Sequence, residues 1–233
     1  MTEDFPYYAE QVAFEKVLES QRLFDLDEGS GPSASIFDER LKAARLEIAG
    51  FTLRPASTLP HLDEPCGRHF RFRDFIQCGE TQATTSLPNI PEQIETYKAL
   101  TRLAILVLDP VVDYFGEIIL TYGFSSRELA KHIPGRNAPN LDQHAGYELN
   151  TRGKPICPRL GAAVDFIISD ESMLEVAQWI VRHTPFDRLY FYRDDRPLHV
   201  SYGPENKREI VPMKSGESGR LIPTVVKIEV FLA

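Results

Sequence analysis

The chain has 233 residues, 42% hydrophobic and 26% charged, which suits one large domain or a domain with an extension. Its net charge of -8, without a run of Lys and Arg, argues against nucleic acid as a partner. Cys66, Cys78 and Cys157 form no C-x-x-C pair, the start MTEDFPYYAEQ lacks an apolar segment, and no apolar stretch is long enough to span a bilayer, so a reduced, cytoplasmic protein without membrane contact is expected.

In chain order, residues 9 to 24 and 36 to 48 have helical apolar spacing. The Gly-, Ser- and Pro-rich stretch 27 to 35 separates them, and the proline-bearing stretch 54 to 68 reads as a linker. Two domains follow: an N-terminal helical extension with linker over 1–68, and a main domain over 69–233. Within the latter, Asn89-Ile-Pro introduces a helix from Glu92 to Leu108, apolar on nearly all sides in its second half and interrupted by Asp109-Pro110. Glu117 to Thr121 reads as a strand, and Ser125-Ser126 as the cap of a short helix. Ala162 to Ile168 reads as a buried strand, and Ser172 to His183 as an amphipathic helix. Leu189 to Tyr192 and Leu198 to Tyr202 read as paired strands, Gly216 to Gly219 as a turn, and Val225 to Leu232 as a last strand. This pattern predicts an α+β fold, with a small antiparallel sheet flanked by helices.

Three residues in this framework carry possible chemistry. Asp165 lies inside the apolar strand AAVDFII, where a carboxylate is costly unless paired or metal-bound. His199 lies in the strand LHVSY, and His144 in a polar loop. Two imidazoles, a carboxylate and an open position make a catalytic zinc set. An ordinary core histidine in a strand is the competing reading. No compact metal signature such as H-E-x-x-H is present.

The order of segments adds a resemblance. HFRFRDFIQCGET, LPNIP, LAILVLDPVVDYFG, ILTYGFSS, LGAAVDF and FDRLYFY followed by LHVSY occur in sequence between His69 and Gly203. Together they resemble the zinc D-Ala-D-Ala carboxypeptidase-like family, the M15 type related to the hedgehog/DD-peptidase fold. The resemblance implies that fold, a zinc cofactor, and Asp165 and His199 as ligands. The family's first histidine would fall at Pro158, so Asp142-Gln143-His144 stands as its displaced equivalent, with an insertion between it and Asp165. Cys157 is a rival ligand, or a buried small side chain. The family's general-base glutamate aligns with Tyr192, and Asp194, Asp195 and Glu148 are alternatives nearby. Its substrate arginine aligns with Ser125, with Arg127 and Arg136 close in sequence. The expectation is a divergent zinc-dependent peptidase or amidase acting on a peptide or peptidoglycan-like substrate. The alternatives are a peptidase fold kept as a binding module and an intracellular metal hydrolase with another substrate.

Overall fold

The computed structural model describes residues 59–133, 138–215 and 221–233. The chain divides into two units, Met1–Thr58 and Leu59–Ala233, and the described residues all belong to the second. The helices expected over 9–24 and 36–48, Arg136 and the turn Gly216 to Gly219 lie outside the described residues. The stretch from Leu59 to Arg68, expected to be linker, belongs to the compact unit. Cys66 is fully buried there. The carboxylate of Asp109 accepts the amides of Arg68 and His69 at 2.7 and 3.2 Å, tying this stretch to the central helix.

Two short helices, α1 (Phe72–Ile76) and α2 (Glu80–Thr84), precede the central one. The central helix is continuous where an interruption was expected. It runs as α3 (Ile94–Leu103), a π-helical stretch (Ala104–Leu108) and α4 (Asp109–Phe115). The amide of Asp109 donates to the Ala104 carbonyl, five residues back. This wider register lets Pro110 sit in the first turn of α4, where its missing N–H is tolerated. Leu103, Ala104, Val107 and Leu108 are fully buried, as the all-round apolar pattern predicts.

The strands β1 (Ile119–Tyr122), β2 (Ala162–Ile167), β3 (Arg188–Phe191), β4 (Leu198–Tyr202), β5 (Glu209–Ser215) and β6 (Leu221–Pro223) form one sheet in the order β1-β2-β4-β3-β5-β6. The sheet is mixed, not antiparallel as expected, because β3 and β5 are parallel. The cause is topological. The end of β4 lies beside the start of β3, with Ser201 opposite Arg188, so a short connection starts β5 at that same end of β3.

The last strand expected, Val225 to Leu232, is a short helix, α7 (Ile228–Phe231). The edge of β5 already pairs with β6, which leaves Val226 a single bridge to Ile210. The amphipathic helix α6 (Met173–His183) forms as predicted, with Ser172 as its cap, and it packs against α4 and β3. Trp179 of this helix packs its ring against Tyr114 and edge-on against Phe115, a packing role.

The two faces of the sheet differ. Val164, Phe166, Leu189, Leu198, Val200 and Ile210 are fully buried on the core face. Because β residues alternate, Asp165, His199 and Tyr190 point to the opposite face. The segment 139–161 supplies His144, which joins them on that side. Among the described residues, no helix is long and apolar enough to cross a membrane.

Candidate metal centre

Strand register builds most of the site. Asp165 pairs with His199 across β2 and β4, and His199 pairs with Tyr190 across β4 and β3. On the other side a bulge in β1, between Leu120 and Tyr122, brings Tyr122 opposite Asp165. The resulting row is Tyr122, Asp165, His199 and Tyr190. Gly161 opens β2 at φ +91°, with Tyr202 O only 2.2 Å from where a Cβ would sit, so only glycine fits this approach to β4.

His144 arrives from a 3-10 turn, Gln143–Ala145, capped by Asp142. Its Nδ1 lies 2.8 Å from the Gly123 carbonyl. With Nδ1 protonated, that contact leaves Nε2 as the free donor atom toward the sheet. Gly123 is held in turn by the backbone. A Cβ on it would lie 2.2 Å from Phe75 O, and the next amide, Phe124, donates to that same carbonyl. Asn89 fixes this corner by donating to Ile76 O and Phe124 O and accepting from the Ser126 amide.

The three predicted ligands therefore meet. His144 Nε2 lies 3.2 Å from His199 Nδ1 and 3.4 Å from Asp165 Oδ1, and the latter two are 2.7 Å apart. One ligand atom from each lies within 4.8 Å of the others. Two ligands on a tetrahedral ion at about 2.0–2.2 Å sit roughly 3.3–3.6 Å apart. The 3.4 Å separation matches that spacing, the 3.2 Å one falls just short of it, and the 2.7 Å one has to open. The group can hold a metal ion. His144 is 4% exposed, His199 12% and Asp165 25%, so the site opens to solvent on the Asp165 side.

Charge supports the same grouping. Burial opposes the charged form of His144, but Asp165, Asp142 and the Gly123 carbonyl outweigh it and raise the pKa. Burial likewise opposes ionisation of Asp165, yet His144 and His199 hold its carboxyl well below the usual range.

The other predicted site residues separate into near and far. Tyr192 feels the charge of Asp165, and burial above all pushes its phenol up to about 12. Ser125 is buried beside the site, its amide donating to the His144 carbonyl at 3.0 Å, so it supports the histidine's backbone. Its neighbour Ser126 caps the short helix α5 (Arg127–Ala130), as predicted. Arg127 is turned to Glu128 on the surface. Asp194 accepts from Ser172 Oγ and the Leu174 amide at 2.7 and 2.9 Å, which commits it to the start of α6 rather than to the ligand group. Asp195 pairs with Arg193 at the surface. Glu148 is buried and accepts from the Glu92 and Gln93 amides and Thr96 Oγ1, closing the first turn of α3. Cys157 is fully buried and outside the ligand group, the small apolar side chain of the bland expectation.

Several side chains escaped the sequence reading. Arg159 donates to Tyr190 Oη at 3.1 Å, and the Tyr190 ring stands 5.0 Å from that of His199. Beneath them lies a polar network. Gln143, next to His144, donates to Leu160 O at 2.8 Å and Asp187 Oδ2 at 3.0 Å, and accepts from Ser201 Oγ at 2.9 Å and Arg188 Nη1 at 3.3 Å. That uses the full capacity of one amide. It ties the His144 segment to the strand carrying His199. The only signal was alternation: Ser201 is two residues from His199, and Arg188 two from Tyr190.

No family model matches the sequence, and no similar curated protein or solved structure was found.

Proposed function

We propose that the chain is a zinc-dependent hydrolase of amide bonds, a divergent relative of the DD-peptidase group acting on a peptide such as a peptidoglycan stem. One observation carries this reading: two imidazole nitrogens and a carboxylate oxygen converge within 4.8 Å from three separate segments of the chain. The order of segments that resemble that group's motifs supports it as well. A nitrogen and oxygen donor set of this kind suits zinc. Held by His144, Asp165 and His199, zinc would acidify a bound water and polarise the scissile carbonyl.

The protein's own groups supply the rest. Tyr192, with its phenol pushed up to about 12 by burial, stays protonated at neutral pH. It serves as a hydrogen-bond donor to a developing oxyanion, not as a base. Asp142 accepts the His144 amide at 3.1 Å, so its carboxylate positions the turn that carries the histidine. Arg159, anchored on Tyr190, replaces Arg127 as the cation that orients substrate.

Zinc-loaded protein should cleave blocked tripeptides and lose that activity on chelation. Tyr192→Phe should lower kcat about 100-fold with zinc content unchanged. Protein that takes up no zinc would sink the reading. The tyrosine and serine standing where the family has glutamate and arginine favour a second reading, a metal-holding binding module. Zinc uptake without turnover on any peptide would select it.

Stability should respond to pH with opposite signs in the two metal states. The raised pKa of His144 stabilises the metal-free fold fully below about 6.5, and this is lost as pH rises through the folded value. The depressed pKa of Asp165 stabilises above about 3.9, and this is lost as pH falls through the folded value. The metal-free pair thus contributes most between about pH 4 and 6.5. Zinc needs both imidazoles deprotonated, so its stabilisation grows above that window. Melting curves with chelator and with zinc should diverge as pH rises. A gap that narrows would count against zinc at these histidines.

A further inference from the structure

A second, larger space lies away from the ligand group. It is a cavity of about 610 Å³ bounded by residues of α1, α4 and β1, and none of His144, Asp165 and His199 lines it. Its size is that of a small-molecule site. Phe70, Val112, Ile118 and Leu120 give it an apolar wall. The polar part of the lining is only partly engaged. His69 Nε2 lies 2.9 Å from Asp113. The Arg73 guanidinium pairs through Nη2 with Asp63, which balances its charge. Its Nε is buried without a hydrogen-bond partner, although buried polar atoms are nearly always satisfied. Asp74 accepts the Arg71 amide at 2.7 Å, and among the described residues no ion pair engages Asp74 or Glu117. The cavity thus offers an apolar wall, one unused N–H of a cation already balanced, and two carboxylates.

We propose that this cavity binds the free amino end of an apolar residue, as in a peptide N-terminus or an α-amino amide. The ammonium has three donors to give, and Asp74 and Glu117 receive them. The adjoining carbonyl is a neutral acceptor for Arg73 Nε. The aliphatic side chain lies against Ile118 and Leu120. A free amino acid fits less well, because its carboxylate adds a negative charge beside Asp74 and Glu117 while the Arg73 charge is already taken by Asp63. A blocked amine brings no cation at all. The assignment does not depend on the metal reading.

The test uses the full chain, once with zinc and once with chelator, and four probes: leucinamide, acetyl-leucinamide, leucine and 3-methylbutylamine. Affinities are read by ligand-observed NMR titration. Cys78 lines the cavity while Cys66 and Cys157 are fully buried, so slowed alkylation of Cys78 locates the ligand. Leucinamide should bind about fivefold tighter than each of the other three, the size of one partly screened ion pair or one hydrogen bond. Glu117→Gln should lower leucinamide affinity about fivefold. Arg73→Lys keeps a cation facing Asp63 but removes the Nε donor, so leucinamide should fall to the 3-methylbutylamine value. Equal affinity for leucinamide and acetyl-leucinamide, or leucinamide affinity unchanged in either variant, overturns the proposal. Binding that leaves Cys78 alkylation unchanged overturns it too. The affinity should be the same with zinc and with chelator, and binding that requires zinc would place the ligand at the metal centre instead.

Discussion

Asp165→Asn should weaken zinc binding about 1000-fold while leaving the sheet assembled. The amide keeps the size of the carboxylate, and the backbone of Asp165 still pairs with His199 and Tyr122. What it loses is the one anionic ligand among His144, Asp165 and His199. Structural zinc sites are worth about 10–16 kcal/mol, so removing one of three protein ligands should cost roughly 4 kcal/mol, or about 1000-fold in affinity. Competition with a chromophoric chelator measures this directly. Affinity within tenfold of the parent would show that the ion, if bound, sits elsewhere. The same substitution frees the His144 and His199 nitrogens from their anionic partner, so the preference of the metal-free protein for mildly acidic pH should flatten.

The largest effect on stability is expected at Arg188. Its side chain is 2% exposed, with Asp187 fully buried against it and Glu205 and Glu209 at 2.6 and 3.6 Å. Arg188→Ala leaves Asp187 as an uncompensated buried charge and takes a donor from Gln143. Breaking a buried pair in this way costs about 3–5 kcal/mol. In a chain of this size that lowers Tm by roughly 6–20 °C. Glu205→Gln is the contrast. Glu205 is 42% exposed, so solvent screening keeps its loss small. A similar loss in both variants, or less than about 1 kcal/mol for Arg188→Ala, would deny the network its role. Because Gln143 joins this network to the His144 turn, Arg188→Ala should also weaken metal binding in the fraction that still folds.

The elements visible in the sequence are those whose burial is written in a local period. The helix Met173–His183 and the strand Ala162–Ile167 carried their own apolar patterns and caps. Strand β5 did not, because Pro212 breaks its pattern and its partner β3 lies parallel to it. The run from Val225 looked like a strand, yet a strand needs an open edge, and β6 had taken the nearest one. Within the site, the types of His144, Asp165 and His199 were legible, and Asp165 was marked by its apolar surroundings. The alternative carboxylates were misplaced for one reason: Asp194 and Glu148 satisfy helix amides, and the sequence does not say which helix end a carboxylate meets.

The sequence by itself determined that a carboxylate would be embedded in a buried strand and that an imidazole would share a strand face two residues from Ser201. Alternation and hydropathy are local properties, and they survive without knowledge of neighbours. Only the tertiary structure decided that His144 reaches that carboxylate. Its position depends on the pairing of Asp165 with His199, on the Gly123 carbonyl that turns its ring, and on the Gln143 contacts that hold the intervening segment against β4. Each of these is set by chain segments far apart in sequence, whose packing free energies no local pattern records.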